Sequence, residues 1–331
     1  MILAGDIGGT HTRLGLFSEA SGRLHLETEK IYPSREHAGL AEIVTAFLFS
    51  QNATVSCAAF GIAGPVINGR VSTPNLPWVI EETSLAREAG IADVELLNDL
   101  EAHASGVYDL QPTDFIIVNA GVPAQGNAAL IAAGTGLGEA GLFWDGSRRR
   151  PFPCEGGHCD FAPRNELEIA MLDYLLKKFG HVSYERILSG AGLKNIYDFL
   201  RDCGREEEPS WLRDELAQAV DPAAVISQHG MKATAAICQC ALDVFISVYG
   251  AEAGNVALKL MATGGVFISG GIAARITAKF TEPAFFQSFV QKGRLQPLLE
   301  MMPVKVIVND RVGLMGAARR ALGQRENLNA S

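Results

Sequence analysis

Several short clusters in this sequence combine glycine with polar residues at spacings suited to holding a ligand. Gly5-Asp6-Ile7-Gly8-Gly9-Thr10 follows an apolar run, and its glycines let backbone N–H groups approach phosphate oxygens with no Cβ in the way. Asp6, at the end of that run, is placed to orient a magnesium ion through water, because Mg²⁺ keeps several waters and takes one or two carboxylates. Standing alone, the segment would read as an ordinary β-hairpin. Leu96 to Ala102 sets the amide of Asn98 beside the carboxylate of Asp99 at the end of a buried strand, just before a helix. Strand ends of α/β sheets are where ligands bind. An amide donates and accepts and a carboxylate accepts twice, so the pair can grip neighbouring hydroxyls. A plain helix-capping role for Asp99 stays open.

Glu155-Gly156-Gly157-His158 follows a short strand, and its two glycines allow a turn in which acid and imidazole face one cavity. Glu185, ahead of Ile187-Leu188-Ser189-Gly190, is a further candidate carboxylate. Alone it says little, since most lone helical glutamates face solvent. Gly264-Gly265-Val266-Phe267-Ile268-Ser269-Gly270-Gly271-Ile272 reads as strand, glycine pair and helix start, where a flat heterocycle could lie against the backbone. Neither glycine loop has the Gly-x-x-x-x-Gly-Lys-Ser/Thr form of a P-loop or opens a dinucleotide-type strand-to-helix turn. Gly134-Thr135-Gly136-Leu137-Gly138 leads into a strand ending Gly141-Leu142-Phe143, much as Gly5 to Thr10 leads into Gly15-Leu16-Phe17. The parallel hints at an internal duplication.

These clusters need a scaffold. The first hundred residues read as β-rich, with strands over Ile2–Ala4, Arg13–Phe17, Leu24–Ile31, Ser56–Ile62 and Val94–Leu97, a tight turn at Ser21-Gly22 and a helix over Glu81–Ala89 stopped by Gly90. A second strand-rich block covers Phe115–Trp144. An amphipathic helix is expected over Asn165–Phe179, its apolar face made by Leu167, Ala170, Met171, Tyr174 and Leu175 and its end by Gly180. Arg205–Pro209 reads as a solvated charged loop, Met231–Met261 as a long apolar helical region, and Val266–Ser269 and Val304–Val308 as strands. Strands alternating with helices imply an α/β sheet.

The 331 residues suffice for about two domains of ~100–200 residues each. At 48% hydrophobic residues the chain can bury a substantial core. A formal net charge of −9 argues against nucleic acid as the main partner. The N-terminus reads as a strand and not a signal peptide, and no apolar run approaches the ~20 residues of a membrane span. A cytoplasmic protein is expected, with no membrane partner. The 6 cysteines, at 57, 154, 159, 203, 238 and 240, form no paired framework and are expected as buried free thiols.

In this order, from Gly5 to Gly316, the segments resemble the bacterial glucokinase family, within the sugar kinase, actin and heat-shock ATPase superfamily. Any one is weak; together they are specific. The resemblance implies a two-domain, actin-like (ribonuclease H-like) α/β fold with a ligand cleft between the domains. By it, 1–108 with a returning helix over 311–323 form a small domain, 109–310 a large one, and 324–331 a flexible tail. It implies ATP and Mg²⁺ as cofactors, glucose as substrate feeding glycolysis, and a homodimer. Gly5, Asp6, Ile7, Gly8, Gly9 and Thr10 match the first phosphate loop, Gly134, Thr135 and Gly136 the second, and Gly270 and Gly271 the adenosine motif. Asn98, Asp99, Glu155, His158 and Glu185 match the glucose ligands, and Asp99 the catalytic base. Cys159-Asp160-Phe161-Ala162-Pro163 departs from the zinc motif of the sibling repressor and kinase branch, so no zinc is expected, and no helix-turn-helix precedes the first strand. His11 and Thr12 replace the more familiar Asn-Ala. Other readings stay open: a kinase for fructose, an amino sugar or a polyphosphate donor, and a non-catalytic sugar sensor, which would be expected to lose Asp99.

Overall fold

The computed structural model describes residues 1–73 and 75–330, the last seven of these without side chains. The tail expected over 324–331 therefore lies outside the fully described residues. The strands are β1 (Ile2–Ile7), β2 (His11–Ala20), β3 (Arg23–Pro33), β4 (Cys57–Ile62), β5 (Arg70–Ser72), β6 (Val79–Glu81), β7 (Asp93–Asn98), β8 (Phe115–Asn119), β9 (Ala128–Ala133), β10 (Leu137–Trp144), β11 (Arg149–Cys154), β12 (Val266–Ser269) and β13 (Val304–Ile307). The chain divides into two compact units. One comprises Met1–Asp114, Arg150–Pro153 and the chain from Asn309 onward; the other comprises Phe115–Arg149 and Cys154–Val308. These limits stand against expected boundaries at 108/109 and 310/311.

The first unit is built on a sheet ordered β3-β2-β1-β4-β7, with β1 antiparallel to β2 and parallel to β4. Its central strands are buried on both faces, so they read as continuous apolar runs instead of alternating ones. Alternate residues of β1 go to opposite sides. Leu3 and Ile7 join a cluster with Phe47, Phe60 and Trp78, whereas Ile2 and Ala4 meet Leu314, Ala317 and Ala321. Those last residues belong to the helix Val312–Ala330, which thereby completes this unit's second layer. The β-rich reading of the first hundred residues needs one correction. Leu40–Gln51 is a helix, burying Leu40, Ile43, Val44, Phe47 and Leu48 and ending on Asn52 in the left-handed region. That 3-4 spacing is a helical stripe plain in the sequence.

The second unit's strands are ordered β10-β9-β12-β13-β8 in their sheet. Within it β10-β9-β12-β13 repeats β2-β1-β4-β7: an antiparallel hairpin, then a parallel strand beside its first arm, then another parallel strand. The duplication hinted at by two glycine hairpins is therefore present in the topology. The apolar region expected over Met231–Met261 is broken at 232–235, and Ala236–Leu260 forms one helix. By length and composition this helix could cross a membrane, which the sequence reading denied to every segment; most of it is buried inside the unit's core. Glu208, assigned to a solvated loop, instead has a side chain only 6% exposed. It accepts hydrogen bonds from Tyr197 Oη and Arg213 Nε, both at 2.9 Å. The cysteines also differ from expectation: Cys57 and Cys238 are buried, whereas Cys154, Cys159 and Cys203 are exposed.

Candidate active site

In the first unit the turn between β1 and β2 carries Gly8 and Gly9, and it is braced from inside. Gly8 N–H donates to the His11 carbonyl at 2.9 Å, and Ser34 N–H to the Thr10 carbonyl at 2.9 Å. The Ser34 hydroxyl donates to the Gly8 carbonyl at 2.9 Å and meets the Thr12 hydroxyl at 3.0 Å. Ser34 is fully buried and was invisible as a site residue, because nothing local links it to a loop so far back in the chain. Gly9 is required by close approach: a Cβ there would stand 2.7 Å from Asn75 Cβ. Gly5 also meets a packing demand. It is buried within β1, and the space of its missing side chain is filled by Phe60 and Leu14. Ile7, only 2% exposed, likewise offers the loop nothing but backbone.

Asn98 ends β7 and caps the helix Asp99–Gly106, its Oδ1 accepting from Leu100 N–H at 3.0 Å while its Nδ2 donates to the Gly64 carbonyl at 3.1 Å. The capping role left open for Asp99 thus belongs to its neighbour. Asp99 Oδ1 shares the Leu100 N–H at 2.9 Å, which fixes the carboxylate's orientation. Burial pushes the Asp99 pKa above the ordinary aspartate value; His103 and the Leu100 N–H oppose the rise, and Asp6 adds to it. His103 and Asp6 are both neighbours of Gly313, where a Cβ would lie 2.8 Å from His103 Cδ2 and 3.3 Å from Asp6 Oδ2. The Asp6 carboxylate, close enough to add to the proton affinity of Asp99, makes with it a pair of hard oxygen donors, the donor type that Mg²⁺ takes. The residues fit that ion.

In the second unit, sequence-distant segments meet around residues 133–139. Gly134 N–H donates to the Gly136 carbonyl at 2.8 Å, closing the second glycine loop, and Gly190 N–H donates to the Gly134 carbonyl at 2.9 Å. Glu185 does not face solvent as a lone glutamate usually does. It sits half-buried in the short turn Tyr184–Arg186, its Oε2 accepting from Leu137 N–H at 3.0 Å, and it lies where a Cβ on Gly136 would be. Ser189 explains its own motif: its hydroxyl caps the helix Gly190–Asp202 by accepting from Gly192 N–H at 3.0 Å and donates to the Glu185 carbonyl at 2.7 Å. Gly270 has φ of 94°, and a Cβ there would overlap the Ala133 carbonyl, so the glycine pair expected to take a heterocycle abuts the same loop.

Glu155 and His158 flank one turn of 3₁₀ helix, Gly156–His158, with His158 Nε2 3.9 Å from Glu155 Oε2 and both side chains exposed. The glycines between them do more than shape the turn. A Cβ on Gly157 would overlap the Leu137 carbonyl and one on Gly156 the Glu139 carboxylate, so the turn is seated directly on β10. Among the described residues no group of three or more His, Cys, Asp or Glu side chains is arranged to hold a metal ion.

The sequence profile of the family described as Glucokinase matches residues 3–324. The chain is 41% identical to a glucokinase of Nostoc sp. over 334 residues, covering 96% of this chain and 98% of that protein. It is 34% identical to a glucokinase of Photorhabdus laumondii, covering 95% of each. Among solved structures, a glucokinase from an Antarctic psychrotroph matches with a TM-score of 0.86 at 28% identity, covering 97% of this chain and 98% of that one. A ROK-family glucokinase from Streptomyces griseus, solved with glucose and AMPPNP, shares the fold with a TM-score of 0.65 at 20% identity, covering 97% and 99%.

Proposed function

The chain belongs to the glucokinase family, and from that premise we propose that it transfers the γ-phosphoryl group of ATP to the 6-hydroxyl of glucose. The observation that carries the reading is Asp99, held in one orientation by Leu100 N–H at a strand end and made more basic by burial. A relative's complex with glucose and AMPPNP supports the choice of substrate and donor. Asp99 accepts the proton of the 6-hydroxyl as that oxygen bonds to the γ-phosphorus and the bridging oxygen leaves with ADP. An ordinary aspartate, with a pKa near ~3.9, is a weak base towards an alcohol, so the upward shift is in the useful direction. Phosphoryl transfer has a loose transition state, which lets proton loss come late and makes orientation matter as much as basicity.

Asn98, Asp99, Glu155, His158 and Glu185 are the proposed glucose ligands. A ligand of this kind left without its hydroxyl partner is costly, which favours the sugar that satisfies all of them. Backbone N–H groups of Gly9 and Thr10 and of Thr135 and Gly136 are proposed to receive phosphate oxygens, the Gly8 and Gly134 N–H groups closing the two turns, with Gly270 and Gly271 lying under the adenosine. Mg²⁺ arriving with the nucleotide would be held by Asp6 through water and would neutralise phosphate charge. A coupled assay over a panel of hexoses and phosphoryl donors tests the proposal. Turnover with glucose and ATP is expected to exceed that with fructose, amino sugars or polyphosphate, and a higher rate with any of these would reassign the substrate or donor.

A further inference from the structure

Glu139 on β10 and Glu252 in the helix Ala236–Leu260 are 3% and 0% exposed, and neither has a part in the chemistry above. Glu252 lies close enough for its charge and a hydrogen bond to raise the proton affinity of Glu139, which favours one proton held between the two carboxyls. Each also keeps an Oε1 with no hydrogen-bond partner. Glu252 is held by Asn255 Nδ2 at 2.7 Å and by Tyr184, with Lys259 Nζ 3.7 Å from its Oε1. Lys292, which donates to the Ala251 carbonyl at 2.9 Å, is a second nearby cation, and Tyr249 and the Cys154 thiol also face Glu139. Burial and the Glu252 charge push Glu139 up to about 8, so the shared proton leaves just above neutrality.

Two negative carboxylates at hydrogen-bond range in a dry interior must separate. β10 is tied into the sheet, and the Glu252 helix is buried in the core. The Cys154 thiol and the backbone of Gly156 are its other neighbours, and Gly156 lies against Glu139 Oε2 in a short turn with exposed side chains. We propose that Glu139 is a positioning residue for the segment Glu155-Gly156-Gly157-His158: the proton it shares with Glu252 keeps that turn seated, and its loss unseats the turn and weakens sugar binding. The sugar-binding half of this inference rests on the reading of Glu155 and His158 as glucose ligands.

The test compares the wild type with Glu139→Gln, which keeps a hydrogen bond to Glu252 but cannot ionise, from pH 6 to 10. Each unit of pH above the group's pKa removes a further tenfold of the protonated form, so the wild-type glucose KM is expected to rise about tenfold by pH 9 while the ATP KM stays level. Glu139→Gln is expected to match the wild type at pH 7 and to stay flat. Lys292 is itself lowered to about 8, so Lys292→Met is included as a control and is expected to retain the rise. A rise that persists in Glu139→Gln, or that vanishes only in Lys292→Met, overturns the proposal. Hydrogen exchange over 154–159, corrected for the intrinsic pH dependence, gives a readout that needs no sugar. The turn should loosen above pH 8 in the wild type and not in Glu139→Gln; equal exchange in both overturns the proposal. If the turn loosens but glucose is no substrate, the positioning role stands and the assigned function falls.

Discussion

Gly316 and Ala102 meet backbone to backbone: a Cβ on Gly316 would overlap the Ala102 carbonyl oxygen, and Gly106 is equally tight against Gly316 and the Val312 carbonyl. The helix that begins with Asp99 is thus set by how closely the helix Val312–Ala330 can approach it. Gly316→Ala is expected to destabilise the protein by about 1–3 kcal/mol through overpacking and to lower kcat by displacing Asp99. Gly323, whose Cβ would meet nothing within 4 Å, supplies the control: Gly323→Ala should leave both unchanged or stabilise slightly. Urea unfolding and steady-state turnover check the pair. Equal behaviour of the two variants would mean that the crossing is looser than described.

Asp99→Ala should lower kcat by at least ~10²-fold while the protein stays folded, because the helix keeps its Asn98 cap. The raised Asp99 pKa adds a pH signature. Activity requires the deprotonated form, so kcat/KM should fall on acidification at a pH above the usual aspartate range, and that acid limb should be missing from any residual activity of the variant. Near-normal turnover in a folded variant would remove Asp99 from the chemistry.

Glu139 makes a prediction about stability as well as kinetics. Its pKa is raised in the fold from 4.5 to about 8, so its protonated form is the one the fold favours. Stability from this group is full below pH 4.5 and is lost as pH rises to about 8 and beyond. Scanning calorimetry should show Tm of the wild type falling between pH 5 and 9 by more than Tm of Glu139→Gln. Parallel curves would contradict the shared proton.

Native thiol titration should distinguish the cysteines by exposure. Cys159 and Cys203 should react first, Cys154 more slowly because burial raises its thiol pKa, and Cys57 and Cys238 only on unfolding. The same preparation should hold no stoichiometric zinc by elemental analysis. About one tightly bound zinc per chain, with Cys154 and Cys159 protected, would overturn this.

The parts of the site legible in the sequence were those written in local chemistry. A glycine turn after an apolar strand, an Asn-Asp pair at a strand end and a Glu-Gly-Gly-His turn each announce themselves within six residues. The supports were not legible, because they are contacts between distant residues of ordinary type. Ser34 under the Gly8 turn, Asn75 against Gly9, Gly313 beside Asp6 and His103, and Glu252 behind Glu139 carry no local signal. The same distinction applies to Gly5, against Phe60 and Leu14, and to Gly156, against Glu139. A missing Cβ marks a close approach, but only the fold says what approaches. The helix Leu40–Gln51 is different, since its stripe at 40, 43, 44, 47 and 48 is a local signal that stands in the sequence.

The layer that Leu314, Ala317, Ala318, Ala321 and Leu322 form against Ile2, Ala4, Cys57 and Ala59 has a consequence for synthesis. Strands made first at the ribosome cannot bury one face of their sheet until residues 312–322 have also emerged. During that interval the face of Ile2, Ala4 and Ala59 stays open to solvent or to a chaperone, while the unit made mostly from 115–308 already has the residues of its own core. The unit whose strands are translated first is thus the last to receive all the residues of its core. A product truncated before residue 312 would expose an apolar sheet face, the kind of surface that quality control removes, and would strip the Asp99 helix of the helix that Ala102 and Gly106 abut.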